Sequence, residues 1–138
     1  NKATTAAHLN AAQALLEAVG TVVRLKSENQ IDAVTGVSGS GPAYVFHLIE
    51  CLAAAGEAQG LAPELAMQLA KATVAGAGAL AIASSETPSQ LRVNVTSPNG
   101  TTQAGLDELM DSDRGLPPLI RRTVAAATNR SKELARDA

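Results

Sequence analysis

The sequence predicts an all-α fold, a bundle of five to seven helices in a single domain over residues 1–138. Apolar residues make up 46% of the chain, which is enough to form a core. Aromatic residues are only 1%, so alanine and other small residues carry the apolar content, and this favours closely packed helices over a β-sandwich. Apolar residues also recur at helical spacing between the glycine and proline breaks.

Helix boundaries are predicted from capping residues, glycines and prolines. Thr4 or Thr5 can cap the first helix, Gly20 and Gly60 end helices, and Pro63 starts one. A β-branched stretch predicts a short extended segment, and serine- and glycine-rich stretches predict turns and loops. The predicted segments are a helix over 6–18, an extended stretch over 21–25, a turn over 27–30, one or two helical turns over 31–34 and a loop over 38–42. Helices over 42–59 and 63–84 follow, then a cap and short helix that begin at 86–91 and end near 94, and helices from about 102 to 111 and from about 118 to 134.

Composition excludes several classes of partner. A formal net charge of -2 and the near absence of aromatic residues offer neither a basic surface nor a stacking platform for nucleic acid. The single cysteine, Cys51, rules out an internal disulfide framework and favours a reducing compartment, and we expect it to be a small core residue. Residues 72–83 are too weakly hydrophobic, and too close to Lys71, to predict a membrane span. We therefore predict a cytoplasmic protein with neither nucleic-acid nor membrane partners.

The stretch over residues 95–106 (VTSPNGTTQAGL) predicts a tight polar bend that runs into a helix. Pro98 presets a turn, Asn99 and Gly100 tolerate left-handed backbone, and Thr101 or Thr102 can cap the helix. The first amides of a helix lack internal partners and carry partial positive charge, so a small anion would bind there. The alternative is that these residues only make a turn and a cap.

No other motif predicts chemistry. His47 and Cys51 are one helical turn apart, but they could bind zinc only with further ligands from elsewhere, so we predict no metal site and a partly buried His47. The sequence contains neither a GxGxxG motif after a strand nor a GxxxxGK[ST] motif. Glycines in the middle of the helix over 63–84, Gly76 and Gly78, indicate close approach of another helix, such as one from a second subunit. The residues alone thus indicate a helical module with two small-residue loops, over 38–42 and 95–100, at helix N-termini.

Two segments carry a family resemblance. Residues 31–45 (IDAVTGVSGSGPAYV) closely resemble the segment that opens the C-terminal domain core of pyrroline-5-carboxylate reductases, and residues 95–106 resemble the signature loop and helix of the same family. The order and spacing of the two segments also match. The resemblance implies an enzyme that reduces 1-pyrroline-5-carboxylate to L-proline with NADPH or NADH, the last step of proline synthesis. It also implies a helical domain that interlocks with its mate in a homodimer, with rings of dimers as a higher assembly, and a separate N-terminal Rossmann domain that this chain lacks. We therefore expect the isolated chain to be inactive.

The resemblance assigns roles to individual residues of the bend. The residues matching the loop that holds the substrate carboxylate are Ser97, Pro98, Asn99, Gly100, Thr101 and Thr102. Thr102 also matches a threonine close to the ring nitrogen, which makes it the candidate catalytic residue, and Asn94 and Val95 match positions near the cofactor. Asn99 stands where the family usually has glycine, and Val93 stands where an acidic residue is common.

Two other functions remain open on the sequence. One is a non-enzymatic helical dimerisation module derived from this domain. The other is the helical domain of a β-hydroxyacid-type or 6-phosphogluconate-like dehydrogenase, although the lysine-centred helix motif of those enzymes is not visible here.

Overall fold

The computed structural model describes residues 3–137, and every regular element in this range is helical. The α-helices are α1 (Ala6–Glu17), α2 (Ile31–Val34), α3 (Gly41–Ala58), α4 (Pro63–Ala83), α5 (Pro88–Asn94), α6 (Thr101–Leu109) and α7 (Leu116–Arg136). A 3-10 turn at Glu28–Gln30 precedes α2, and a π-helical segment at Thr35–Gly39 follows it. The all-α prediction and the predicted range of helix number are confirmed.

Two helix ends have the predicted chemistry. The α1 helix begins where the Thr5 hydroxyl accepts a hydrogen bond from the His8 amide at 3.2 Å, which is an N-cap. The α3 helix ends at Ala58, and Gly60, two residues later, has a left-handed φ of 94° and an amide that donates to the Glu57 carbonyl at 2.9 Å. Glycine adopts this conformation without the steric cost of a Cβ, so it ends the helix cleanly.

One local prediction is wrong, and another stays a prediction. Residues 21–25 belong to no helix or sheet, and the extended backbone predicted for them is not tested by the regular elements of the structure. The predicted loop over 38–42 is a π-helical turn that continues into α3, with the Ser40 amide donating to the Thr35 carbonyl at 2.8 Å. Pro42 is the second residue of α3, which begins at Gly41. The start of α3 is therefore tied to the preceding helical turn and is no free N-terminus for an anion.

The α3 and α4 helices form a hairpin that holds the buried core. That core consists of Ala53, Ala66 and Ala70, with Ile49 and Met67 packed against it. Because the buried side chains are methyl groups, the two helices approach closely. The hairpin thus confirms that small residues mediate helix packing in this chain.

The α2 helix and the π-helical segment dock on the middle of α7. The Ser131 hydroxyl donates to the Asp32 carboxylate at 2.7 Å, which joins α7 to α2. Gly36 is buried at the same contact, and a Cβ there would overlap the Thr128 hydroxyl and lie 3.1 Å from the Val124 carbonyl oxygen. Glycine is required here because the backbones of the two elements are nearly in contact.

Most of the predicted apolar faces are not covered within the chain. The accessible surface is 10642 Å², whereas a compact monomer of this mass exposes about 6,700 Å². Large side chains such as Leu15 and Ile82 are 75% and 89% exposed, and no heavy atom lies within 4 Å of a Cβ built on Gly76 or Gly78. The apolar residues that the periodicity placed on helix faces are thus mostly exposed in one chain.

Two side chains expected inside are outside. Cys51 and His47 are exposed, because they lie on the side of α3 opposite to Ile49 and Ala53, which face α4. In addition, α4 is long and apolar enough to cross a membrane by length and composition, with a mean hydropathy of 1.4, contrary to the sequence-based expectation. Core helices of soluble proteins meet the same criterion, so this property alone carries little weight.

Candidate functional site

The bend at residues 95–100 begins where α5 ends. The Thr96 amide donates to the Val93 carbonyl at 3.0 Å, and the Thr96 hydroxyl donates to the Arg92 carbonyl at 2.6 Å. Both bonds satisfy carbonyls of the last turn of α5. The chain therefore leaves this helix in a defined direction.

The centre of the bend depends on Asn99. Its φ is 58°, the one positive value among non-glycine residues that the structure describes, whereas Gly100 has an ordinary φ of −87°. The Gly100 amide donates to the Ser97 carbonyl at 3.0 Å and closes the turn. A Cβ on Gly100 would lie 3.0 Å from the same oxygen, so glycine there allows close approach. The left-handed backbone predicted for this pair is thus confirmed at Asn99 alone.

The N-cap of α6 is Gly100, so the prediction that Thr101 or Thr102 caps the helix is wrong. Gly100 has the extended backbone of an N-cap (φ −87°, ψ 176°), and the two threonines are the first two residues of α6. Because glycine has no side chain, no side-chain oxygen caps this helix. The first backbone hydrogen bond of α6 runs from the Ala104 amide to the Gly100 carbonyl at 3.2 Å. The helix amides before Ala104 therefore have no carbonyl within the helix to which they could donate.

The bend is open to solvent. Ser97, Pro98, Asn99, Thr101 and Thr102 are exposed, and Gly100 is half-buried. A cavity of about 210 Å³ lies beside the bend and is lined by Arg92, Val93, Thr96, Pro98 and Gln103. An anion can therefore reach the uncapped end of α6 from solvent.

Arg92 is a residue that the sequence analysis did not single out. It is half-buried at the cavity, and its Nη1 lies 3.0 Å from the sulfur of Met110. It also lines an apolar cavity of about 390 Å³ between α6 and the start of α7. A permanently charged guanidinium beside an uncapped helix N-terminus adds positive charge to the neighbourhood of the bend. The sequence feature that could have pointed to Arg92 is the presence of a basic residue five positions before Ser97.

Asn94 and Val95, the two positions that the family resemblance places near the cofactor, differ in how firmly their side chains are held. The Asn94 side chain donates to the Glu86 carboxylate at 2.9 Å and accepts from the Gln90 amide at 2.8 Å. Val95 makes no such contact and is 64% exposed. Glu86 is thus a second residue at this site that the sequence analysis did not assign, and it fixes the orientation of Asn94.

The turn between α6 and α7 is held by Asp111. Its carboxylate accepts hydrogen bonds from the amides of Arg114 at 2.7 Å and Asp113 at 2.9 Å, and these bonds hold the pKa of Asp111 below its ordinary value. Gly115 is buried in the same turn. Within residues 3–137, no group of three or more histidine, cysteine or acidic side chains is arranged to hold a metal ion.

Comparison with known proteins identifies the family of this helical arrangement. A family model described as pyrroline-5-carboxylate reductase dimerisation matches residues 28–134. The pyrroline-5-carboxylate reductase of Pseudomonas aeruginosa is 45% identical over 98% of this chain and 49% of its own length. That of Arabidopsis thaliana is 46% identical over 87% of this chain and 42% of its own length.

Solved structures agree. A pyrroline-5-carboxylate reductase from Coxiella burnetii superimposes with a TM-score of 0.90 at 40% identity, covering 97% of this chain and 49% of that chain. The Plasmodium falciparum pyrroline carboxylate reductase, solved with NADP bound, gives a TM-score of 0.82 at 31% identity over 96% of this chain and 50% of that chain. The chain spans about half the length of the relatives that it matches. It belongs to the pyrroline-5-carboxylate reductase family, within which it corresponds to the dimerisation domain.

Proposed function

We propose that residues 1–138 are one helical domain of a reductase that converts 1-pyrroline-5-carboxylate to L-proline with NADPH or NADH. In this proposal the chain contributes the substrate-carboxylate loop and the dimer interface. The observation that carries it is the uncapped, solvent-facing N-terminus of α6 in a chain of this family.

The substrate carboxylate binds at the start of α6. The amides of Thr101 and Thr102 donate to it, and the hydroxyls of Ser97 and Thr101 add donors at the same bend. An anion at a helix N-terminus gains about 0.3–1 kcal/mol at an exposed site and more where solvent is excluded. The left-handed backbone of Asn99 supports this arrangement, because it directs the chain into α6 at Gly100.

Thr102 is the proposed catalytic residue. Its hydroxyl donates a hydrogen bond to the ring nitrogen of the bound substrate, or holds the group that delivers a proton there. NADPH or NADH, when bound, supplies the hydride. The contribution of this chain is therefore to orient the ring and to polarise it.

Asn94 and Val95 are proposed to touch the cofactor. Val95 is exposed, and Asn94 keeps one amide hydrogen beyond its bonds to Glu86 and Gln90, so both are able to contribute contacts. They are too few to hold a dinucleotide, and the described residues contain no strand from which a Rossmann fold could be built. The main cofactor site is accordingly assigned to a separate nucleotide-binding domain.

The partner of this domain is proposed to be a second copy of the same chain. Each chain exposes about 3,900 Å² more than a compact monomer would, or about 7,800 Å² for two chains, and obligate homodimer interfaces commonly bury a total of about 2,000–5,000 Å² or more over both partners. The apolar faces of α1 and α4, with Gly76 and Gly78 open to close approach, suit interlocking helices. Rings of such dimers are the proposed higher assembly, and the cytoplasm is the proposed location, where the free thiol of Cys51 stays reduced.

The proposal is tested by Thr102→Ala in the full-length enzyme. We expect kcat/KM for 1-pyrroline-5-carboxylate to fall more than about tenfold, which is about 1.4 kcal/mol in the barrier. Thr102→Ser should restore most of the loss, because serine keeps the hydroxyl. Thr123→Ala is the matched control, since the Thr123 hydroxyl bonds the Leu119 carbonyl of its own helix at 3.0 Å.

Unchanged kinetics for Thr102→Ala would remove Thr102 from the site. A full-length protein that dimerises but shows no turnover would favour the non-enzymatic dimerisation module instead. The 138-residue chain alone is expected to show no NADPH-dependent reduction, since it carries no nucleotide-binding fold in residues 3–137.

A further inference from the structure

Asn99 and Gly100 are the one Asn-Gly pair in the sequence, and they lie at the centre of the bend before α6. Asn99 is exposed, and its side-chain amide makes no hydrogen bond within residues 3–137. Asparagine is a chemically labile residue. The backbone nitrogen of the residue that follows it can attack the side-chain carbonyl carbon, and glycine hinders this approach least because it has no Cβ. The sequence and the exposure of the bend thus favour a covalent change at Asn99.

The other asparagines of the described chain are in less reactive places. The side chains of Asn10, Asn29 and Asn94 make hydrogen bonds to neighbouring side chains. Asn129 lies inside α7, where the amide that follows it belongs to a regular helix. All four precede a residue with a Cβ, which hinders the approach of the backbone nitrogen. Asn99 therefore combines an unheld side chain with an unhindered nitrogen.

One hydrogen bond opposes the reaction at Asn99. The Gly100 amide donates to the Ser97 carbonyl at 3.0 Å, so its nitrogen is engaged while the turn is closed. A single hydrogen bond of ordinary strength lowers the population of the open turn only about fivefold, and exposed loops open locally at little cost. The turn therefore slows the attack without preventing it.

We propose that Asn99 is a site of spontaneous deamidation. The Gly100 backbone nitrogen gives its proton to water and bonds to Cγ of Asn99, the bond from Cγ to Nδ2 breaks, and ammonia leaves. Water then opens the succinimide ring that has formed. Addition of water at Cγ gives aspartate, whereas addition at the backbone carbonyl carbon gives isoaspartate, in which the main chain runs through Cβ and Cγ. No oxidant or reductant takes part.

Either product alters the bend. Both add a negative charge beside the uncapped N-terminus of α6, and isoaspartate also lengthens the backbone by one carbon just before Gly100. The effect on catalysis rests on the proposed function, in which the substrate carboxylate binds the first amides of α6. Because like charges repel, full conversion should raise KM for 1-pyrroline-5-carboxylate about fivefold.

The site is tested by ageing the natural full-length protein at physiological temperature and following it by peptide mass spectrometry. One tryptic peptide, residues 93–114, contains both Asn94 and Asn99, so Asn94 is an internal reference. Asn99 should gain the mass of an amide-to-acid conversion more than about tenfold faster than Asn94, because two hydrogen bonds hold the Asn94 side chain. KM measured on the same samples should rise as the converted fraction grows.

Asn99→Gly is the matched control, because glycine accepts the positive φ of this position but has no side-chain amide to lose. Its KM should not drift from its own starting value over the same period, and Asn129→Gln should age as wild type does. An Asn99 that stays unconverted, or converts no faster than Asn94, would overturn the proposal. Conversion of Asn99 with an unchanged KM would confirm the modification site and contradict the proposed carboxylate site instead.

Discussion

Replacing Asn99 with alanine tests the proposal that the backbone of the bend positions the amides that hold the substrate carboxylate. Asn99 has a φ of 58°, and an L-residue with a Cβ pays roughly 1–2 kcal/mol in the left-handed region. Asparagine tolerates this region better than alanine, because its short polar side chain can hydrogen-bond locally. We therefore expect alanine to cost about 1 kcal/mol relative to asparagine.

That cost appears in one of two measurements. If the bend keeps its shape, the variant loses about 1 kcal/mol of folding stability, and the Tm of the full-length enzyme falls by about 2–4 °C. If the bend relaxes instead, the amides of Thr101 and Thr102 should move away from the proposed carboxylate site, and KM should rise about fivefold.

The assay combines steady-state kinetics with thermal unfolding of the full-length enzyme. Asn99→Gly is the control, because glycine adopts positive φ without steric cost and should keep both KM and Tm close to wild type. If Asn99→Ala matches wild type in both KM and Tm, the left-handed backbone at this position does not matter, and the reasoning fails.

Three further predictions concern the fold and its partner. Gly115→Ala should lower the free energy of unfolding by about 2 kcal/mol through overpacking, since its Cβ would lie 2.5 Å from the Asp111 carbonyl oxygen and 2.6 Å from that of Leu109. Gly76→Leu should shift the protein from dimer to monomer or aggregate in size-exclusion chromatography, because a large side chain would keep the second α4 away. The carboxylate of Asp111 has a pKa lowered from its ordinary value of 3.8. The stability that it contributes should therefore be fully present at pH values above 3.8 and be lost as the pH falls through the lowered pKa. Asp111→Asn should flatten that decline in acid-unfolding curves.

Each of these has a matched control. Gly20→Ala should be neutral, because no heavy atom lies within 4 Å of the added Cβ, and equal stability of the Gly20 and Gly115 variants would contradict the overpacking argument. Gly76→Ala should keep the dimer, and a dimeric Gly76→Leu would place the interface elsewhere. Asp113→Asn should retain the wild-type acid profile, and an Asp111→Asn profile identical to wild type would show that the pair of amide bonds is not linked to stability.

The turn in the bend at residues 95–100 could be predicted from the sequence, but the residue that caps the following helix could not. A proline followed by Asn-Gly predicted a turn with left-handed backbone, and the structure has it at Asn99. The sequence could not show which residue caps α6, because glycine and threonine are both suitable caps. The choice depends on where the turn returns to helical backbone, and that point is Thr101. Arg92, which lines the cavity beside the bend, and Glu86, which contacts Asn94, could be assigned only from the structure, since neither belongs to the motif.

The sequence by itself determined the helices and their apolar faces, because helical period and capping chemistry are local properties of neighbouring residues. Only the tertiary structure decided what those faces contact. Residues expected in a core, such as Cys51, are exposed, and the buried core of one chain consists of three alanines on α3 and α4. Packing depends on which surfaces meet across long sequence separations, and here one chain leaves more surface uncovered than a compact monomer of its mass would.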